Sequence, residues 1–266
     1  MSVDFAFLDS GTGGIPYMLN LYKKFPEAKC VYLGDTLNFP YGEKSSREVT
    51  ECASAAIQNI INLWSPKAIV VACNTISVTA LSDLRENFPD LPIIGTVPAI
   101  KLAAKVTKNK KIGLLATTAT VNHPYCQKLI SDFASDCEVF MRADPKLIDF
   151  VEKQYFNSNK DERLNAVSEA AGYFKNKGCD TVILGCTHFT HIAQEMRTAC
   201  GSGITVVDSR DGVANQAIRK IHNECTKDKN NSELSVQNLT FFVTKANESE
   251  EKEYRELCKN LKIPFG

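Results

Sequence analysis

The chain has 266 residues, 44% of them hydrophobic, so it is long enough for one large domain or two smaller domains with their own cores. Lys+Arg and Asp+Glu both number 31, and the formal net charge of zero gives no electrostatic basis for binding nucleic acid or an anionic membrane. No apolar run reaches the roughly 20 residues of a membrane-spanning helix, and the N-terminus lacks a signal-peptide pattern. We therefore expect a soluble, cytoplasmic protein.

Short apolar runs alternate along the chain with longer stretches whose apolar residues recur every three or four positions. The runs are typical of strands buried on both faces of a parallel sheet and lie at 4–8, 30–33, 68–72, 92–95, 111–115, 137–141, 181–184 and 204–207. The stretches 46–64 and 161–176 have the spacing of amphipathic helices. This alternation predicts an α/β fold with parallel sheets.

The C-terminal region has a different composition. Residues 225–236 are polar and predict a loop, and the apolar run 239–244 predicts a strand. Residues 248–261 are rich in charge and predict a solvated helix.

The eight strands fall into two sets of four with similar sequences. AIVVACNT in the first half resembles TVILGCTH in the second, and their cysteines, Cys73 and Cys186, are 113 residues apart. This offset recurs for PIIGTV and ITVVDS, which indicates an internal duplication at the scale of a domain. The predicted domains are 1–97 with 208–266, and 98–207, so that the C-terminal segment returns to the first domain.

Polar and reactive side chains follow five of the predicted strands. Ligands of open parallel sheets bind at the carboxyl ends of strands, so these residues form the candidate site. They are Asp9 and Ser10, Tyr41 and Gly42, Cys73 with Asn74 and Thr75, Thr117, and Cys186 with Thr187 and His188. The glycine-rich turn 11–14 matches neither common nucleotide-binding motif, and we expect it to allow a tight turn and close approach to a small ligand.

The chain has ten cysteines and no C-x-x-C pair, which argues against a zinc ribbon or a thioredoxin-type redox motif. A single cysteine is most often a core residue, but Cys73 and Cys186 occur in duplicated contexts. If the halves face each other, one thiolate can remove the Cα proton of an amino acid and the other thiol can protonate the opposite face. Asp9 is then a candidate partner of Cys73, and His188 of Cys186. No motif calls for pyridoxal phosphate, a dinucleotide or a metal, so we expect no cofactor.

Six motifs occur in the order and spacing of glutamate racemases, which belong to the cofactor-independent Asp/Glu racemase superfamily. They are DSGTGG, YLGDTLNFPYGEKS, ACNT, GTVPAI, LGCTHF and VVDS. The sequence resembles this family over nearly its whole length. The resemblance implies two similar α/β domains related by pseudo-twofold symmetry, with the active site in the cleft between them. It also implies interconversion of L- and D-glutamate for peptidoglycan synthesis, and a homodimer.

The resemblance further implies roles for individual residues. Cys73 and Cys186 are the proton donors and acceptors, with Cys73 acting on the D form and Cys186 on the L form, and Asp9 and His188 support them. The implied substrate-binding residues are Ser10, Tyr41, Gly42, Asn74, Thr75, Thr187 and His188. Thr117 and Glu152 are further candidates. The chain departs from the common family pattern in having Phe189-Thr190 after the second motif histidine, and Thr12 in the glycine-rich turn.

Three other functions remain open from the residues. The same chemistry serves an aspartate or hydantoin racemase. A cysteine hydrolase would use Cys186 as nucleophile and His188 as base, and would leave Cys73 without a role. In a non-catalytic binding module, both cysteines would be core residues.

Overall fold

The computed structural model describes residues 2–222 and 238–266, with the side chain of residue 222 left out, and the predicted loop 225–236 lies outside these ranges. The chain divides into two compact units, Met1–Thr96 with Arg210–Gly266, and Val97–Ser209. Among the described residues, none of the helices combines the length and the apolar character needed to span a bilayer.

The strands are short and mostly buried. In chain order they are β1 (Phe5–Asp9), β2 (Cys30–Gly34), β3 (Ala68–Val71), β4 (Ile93–Gly95), β5 (Lys111–Ala116), β6 (Glu138–Ala143), β7 (Thr181–Leu184), β8 (Thr205–Val207) and β9 (Leu239–Val243).

The helices connect these strands. They are α1 (Ile15–Lys24), α2 (Ser46–Trp64), α3 (Asn74–Thr79), α4 (Leu81–Asn87), α5 (Ile100–Val106), α6 (Thr118–Asn122), α7 (Pro124–Phe133), α8 (Pro145–Lys153), α9 (Lys160–Asn176), α10 (Ala193–Cys200), α11 (Arg210–His222) and α12 (Glu248–Leu261). Short 3₁₀ turns lie at Thr36–Asn38, Tyr41–Glu43, Tyr155–Asn157 and His188–Thr190.

Each unit contains one sheet, and every strand pair in both sheets is parallel. The first sheet has the order β4-β3-β1-β2-β9, and the second, taken in the same sense, has the order β8-β7-β5-β6. The four strands of one predicted set therefore have the same order as the four of the other, with β9 added at the edge of the first. The predicted α/β class with two parallel sheets is confirmed.

The predicted elements agree with the observed ones to within two residues, the largest difference being at β6. The three predicted helices begin at clear start signals, because α2, α9 and α12 each open with a capping box. The side chains of Ser45, Asn159 and Asn247 accept backbone N–H groups in the first turn, and a glutamate three residues later bonds back to each.

Helices cover both faces of each sheet. The buried side of α2 packs on one face of the first sheet with Val49, Ile57 and Ile60. In the second unit, Phe174 of α9 lies so close to Gly113 of β5 that a Cβ there would be 2.4 Å from its ring. Burial of each large apolar side chain contributes about 1.5–3 kcal/mol. Because the faces are filled in this way, polar chemistry is confined to the strand ends.

Candidate active site

The turn after β1 is held by one buried tyrosine. Asp9 ends the strand, and one oxygen of its carboxylate accepts the backbone N–H of Ser10 at 2.8 Å. The hydroxyl of Tyr32, from β2, donates to the carbonyl of Gly11 at 2.8 Å and accepts the N–H of Gly14 at 2.9 Å. It also lies 3.4 Å from the second Asp9 oxygen. The polar groups of this turn therefore have fixed positions.

Gly14 brings the same turn against the end of β3. Its φ of −80° is accessible to any residue, so backbone conformation does not require glycine here. A Cβ atom would instead lie 2.7 Å from the Cβ of Ala72 and 2.9 Å from the Tyr32 hydroxyl. The glycine-rich turn is expected to allow a close approach to a ligand, but Gly14 instead approaches other residues of the protein. The turn therefore lies beside Ala72, the residue that precedes Cys73.

Cys73 caps a short helix at the end of β3. The strand end is tied to β1 by a bond from the N–H of Ala72 to the carbonyl of Leu8 at 2.8 Å. Cys73 has an extended backbone and precedes α3, and its side chain and those of Asn74 and Thr75 are buried. The site therefore presents a thiol, an amide and a hydroxyl within three consecutive residues.

The buried amide of Asn74 is unusual. Neither its nitrogen nor its oxygen has a hydrogen-bond partner within the described residues. A buried polar group without a partner costs about 1–3 kcal/mol, so such groups are rare in folded proteins.

Tyr41 lies close to Cys73 and is held by a carboxylate. Its buried hydroxyl donates to Asp35 at 2.5 Å, and the 3₁₀ turn that contains Tyr41 and half-buried Gly42 packs on α3. Burial raises the pKa of Tyr41, and the charge and hydrogen bond of Asp35 raise it further, with smaller contributions from Cys52 and Cys73. Tyr41 is therefore a protonated phenol at neutral pH.

In the second unit, Cys186 occupies the position that corresponds to Cys73. The N–H of Gly185 donates to the carbonyl of Leu115 at 2.7 Å, which fixes the end of β7 beside β5. Cys186 and Thr187 follow and are buried. Thr117 follows the neighbouring strand β5, where its hydroxyl caps α6 by accepting the N–H of Thr120 at 3.0 Å.

His188 connects Cys186 to a buried carboxylate. Its Nδ1 lies 3.7 Å from the sulfur of Cys186, and its Nε2 lies 2.8 Å from Oε2 of Glu152. Burial by itself lowers the pKa of His188, but the hydrogen bonds to Cys186 and Glu152, with their negative charges, outweigh burial and raise it well above its usual value. The raised pKa favours the imidazolium form of His188, and a cation beside a sulfur atom stabilises the thiolate.

Glu152 reaches His188 because helix α8 packs against the turn His188–Thr190. Asp144 precedes the helix and caps it, because its side chain accepts the N–H of Leu147 at 3.1 Å. Leu147 and Val151 anchor its apolar side in the core of the unit. Sequence reasoning named Glu152 only as a further candidate, and the structure brings it into direct contact with His188.

The candidate residues thus form two groups, one in each unit. Asp9, Ser10, Tyr41, Gly42, Cys73, Asn74 and Thr75 lie in the first, and Thr117, Glu152, Cys186, Thr187 and His188 lie in the second. In the part of the chain that the structure describes, no group of three or more His, Cys, Asp or Glu side chains is arranged to hold a metal ion. The nine cysteines of that part form no disulfide.

Residues 20–217, well over half of the chain, match the family model for Asp/Glu/Hydantoin racemases. The chain belongs to this family. It is 41% identical to a glutamate racemase of Treponema pallidum (strain Nichols) over 215 residues, which are 81% of this chain and 80% of that relative. It is 36% identical to a glutamate racemase of Proteus mirabilis (strain HI4320) over 260 residues, or 97% and 86% of the two chains.

A solved structure also resembles this racemase-family chain. The crystal structure of Escherichia coli glutamate racemase, in complex with L-glutamate and the activator UDP-MurNAc-Ala, has a TM-score of 0.84 and 30% sequence identity. The match covers 97% of this chain and 95% of that one. The predicted resemblance to glutamate racemases and the prediction of an amino-acid racemase are confirmed.

Three residues that shape the first group escaped the sequence reasoning. Asp35 follows β2 just as Asp9 ends β1, so the rule that polar residues after strands are candidates applies to it as well. Tyr32 is the first residue of the motif YLGDTLNFPYGEKS but lies within a strand, and Thr244 follows β9 outside all six motifs. Their partners become visible only when the sheet is assembled.

The raised pKa of His188 should depend on Glu152. We expect Glu152→Gln to lower it, because the change removes the negative charge that favours the imidazolium, and NMR titration of the His188 imidazole measures the change. Since folding raises the pKa, the ion pair stabilises the fold fully below the unfolded value of about 6.5 and progressively less as pH rises through the folded-state value. The free energy of unfolding of Glu152→Gln should therefore depend less on pH in this range than that of the wild type.

The matched control is Asp149→Asn on the same helix. Its carboxylate is 49% exposed and pairs with Lys153, so we expect the His188 titration to stay unchanged. An unchanged His188 pKa in Glu152→Gln, or an equal fall in both variants, contradicts the assignment.

Proposed function

We propose that the chain is a glutamate racemase that interconverts L- and D-glutamate without a cofactor and supplies D-glutamate for peptidoglycan synthesis. The observation that carries the proposal is the pair of buried cysteines, Cys73 and Cys186, which follow corresponding strands of two sheets with the same strand order. Curated relatives that are 41% and 36% identical over most of the chain are glutamate racemases, which supports glutamate as the substrate.

The reaction we propose is a proton transfer between two thiols through the substrate. For L-glutamate, the Cys186 thiolate takes the Cα proton, so that the C–H bond breaks and an S–H bond forms. The electron pair left on Cα then takes the proton of the Cys73 thiol on the opposite face, and Cys73 becomes the thiolate. The reverse reaction begins from this state, so neither direction needs an oxidant or a cofactor.

The surroundings of each cysteine suit this cycle. The His188 cation, held by Glu152, stabilises the thiolate of Cys186 in the first step. Asp9, with a carboxylate fixed by the N–H of Ser10, is proposed to assist Cys73. The remaining site residues offer hydrogen bonds to the substrate carboxylates and ammonium group. These are Ser10, Tyr41, Gly42, Asn74, Thr75, Thr117 and Thr187.

The two compact units serve in this proposal as the two domains of the enzyme, with the C-terminal segment part of the first. The resemblance to glutamate racemases supports a homodimer that acts in the cytoplasm.

One observation favours a second candidate function. Cys186, His188 and Glu152 form a nucleophile, base and orienting group at 3.7 and 2.8 Å, which is also the arrangement of a cysteine hydrolase. That function gives Cys73 no role and leaves unexplained the amide of Asn74, which has no partner among the residues that the structure describes. A burst of acylated enzyme with an ester substrate would support it.

The proposed chemistry requires both thiols. We expect Cys73→Ala and Cys186→Ala each to lower the rate of racemisation about 10²–10⁴-fold or more in both directions, because each removes a proton donor and acceptor. Circular dichroism follows the reaction from L-glutamate and from D-glutamate without added cofactor. Parallel assays with L-aspartate and a hydantoin test the substrate assignment.

Two other buried cysteines provide matched controls, Cys30 in the first unit and Cys179 in the second. Cys30→Ala and Cys179→Ala should retain racemisation when folded. Near wild-type racemisation by either Cys73→Ala or Cys186→Ala would exclude the two-thiol mechanism.

We expect the side chain of Asn74 to contribute to substrate binding and not to the stability of the substrate-free protein. We expect Asn74→Leu not to lower the melting temperature of the substrate-free protein, because the amide it removes has no partner among the described residues. The same change should raise KM for glutamate about 10-fold or more, since a hydrogen bond to a charged group is worth about 1.5–3 kcal/mol.

Ser77→Ala is the contrasting control on the same helix. The Ser77 hydroxyl accepts the N–H of Thr96 at 2.8 Å and donates to the carbonyl of Val71, so its loss should lower the melting temperature. A clear loss of stability in Asn74→Leu with unchanged KM would show that the amide is structural.

A further inference from the structure

The buried carboxylate of Asp35 joins Tyr41 to the C-terminal part of the first unit. One of its oxygens accepts the Tyr41 hydroxyl at 2.5 Å and the side-chain amide of Asn38 at 2.9 Å. The other accepts the hydroxyl of Thr244 at 2.8 Å. Each oxygen of the Asp35 carboxylate therefore has its own set of hydrogen-bond partners.

Thr244 is itself fixed in place. It directly follows β9, and its N–H donates to the carbonyl of Gly34 at 2.9 Å. Its hydroxyl donates to Asp35 and accepts the N–H of Leu37 at 3.0 Å. Both hydrogen-bonding roles of the hydroxyl are thus used within the segment that leads from β2 to Tyr41.

Lys245 adds further hydrogen bonds between the segment after β9 and the segment after β2. The N–H of Lys245 donates to the hydroxyl of Thr36 at 3.1 Å, and that hydroxyl donates to the carbonyl of Lys245. Residues 244–245 are therefore bonded to residues 34–37 through backbone and side chains together.

The hydrogen bonds between residues 244–245 and 34–37 restrict the movement of Asp35, and therefore of Tyr41. A hydrogen bond from a phenol to a carboxylate is strong, but it fixes the phenol only when the carboxylate has a fixed orientation. Asn38 bonds the same oxygen as Tyr41, and Thr244 bonds the other one. Without the threonine hydroxyl, rotation of the carboxyl group would be less restricted and the Tyr41–Gly42 turn less well placed.

We propose that Thr244 is a positioning residue for substrate binding, which orients Asp35 and through it the Tyr41–Gly42 turn. This inference rests on the proposed function, in which that turn binds glutamate. It gives the C-terminal segment, which the sequence predicts only as a strand and a solvated helix, a part in the site.

The test compares steady-state kinetics of Thr244→Val and Thr244→Ser with those of the wild type. Thr244→Val keeps the shape of the side chain and removes its hydroxyl. We expect KM for glutamate to rise about 10- to 150-fold, the range expected for one hydrogen bond to a charged group, with kcat changed less than about 2-fold. Thr244→Ser restores the hydroxyl and should return KM to within about 2-fold of wild type.

A double-variant cycle with Tyr41→Phe separates positioning from a general structural effect. If Thr244 acts through Tyr41, Thr244→Val adds little to the KM of Tyr41→Phe. The matched control is Thr240→Val on the same strand, where Thr240 pairs with Val31 of β2, and it should leave KM unchanged. If Thr244→Val fails to fold, Asp35→Asn replaces it and should raise KM in the same way.

The possible outcomes are distinct. A KM within 2-fold of wild type for Thr244→Val, or full additivity with Tyr41→Phe, overturns the positioning role while the proposed function stands. The role is equally overturned if Asp35→Asn, used in its place, leaves KM unchanged. If the wild type does not racemise glutamate, the proposed function fails and this inference fails with it.

Discussion

Parallel pairing of the strands is the constraint on which the other features of the structure depend. It places all carboxyl ends of a sheet along one edge, and it requires connecting helices that cover the two faces. The faces are consequently filled with apolar side chains such as Ile57 and Phe174. Groups that perform chemistry must lie where the strands end, which is where Asp9, Cys73 and Cys186 are found.

The two cysteines occupy corresponding places but have different neighbours. Cys186 lies beside a histidine whose pKa is raised by its hydrogen bonds to the thiol and to Glu152, so its environment favours a cation. Cys73 lies near the protonated phenol of Tyr41 and precedes Asn74, whose amide has no hydrogen-bond partner in the described part of the chain. The two units thus share the order of four strands and the position of the cysteine, while the side chains around each cysteine differ. In the proposed reaction, the two thiols are chemically equivalent in role and unequal in environment.

Much of the fold could be predicted from the sequence because its signals are local. A strand buried on both faces is a continuous apolar run in the sequence. The start of a helix such as α9 is marked by a capping box, here formed by Asn159 and Glu162. The residues that follow such runs can be listed without knowing the structure. Cys73 and His188 are candidates of this kind.

The remaining features arise from contacts between distant parts of the chain. Glu152 lies near the end of a helix, and its contact with His188 depends on how α8 packs on a turn 36 residues later. Asp35 and Thr244 are 209 residues apart, and only the addition of β9 beside β2 brings them together. The glycine-rich turn predicted a close approach, but that Gly14 meets Ala72 could be seen only in the assembled sheet.

The most direct measurement of the central proposal is incubation of the wild-type protein with L-glutamate in D₂O, without cofactor, followed by NMR and by resolution of the enantiomers. We expect D-glutamate to form with deuterium at Cα, while the unreacted L-glutamate stays protiated at early times. This pattern follows because one thiol removes the proton and the other, exchanged with solvent, delivers a deuteron. Formation of D-glutamate that retains the original proton, early labelling of the L substrate at the same rate, or no conversion at all would contradict the two-thiol mechanism.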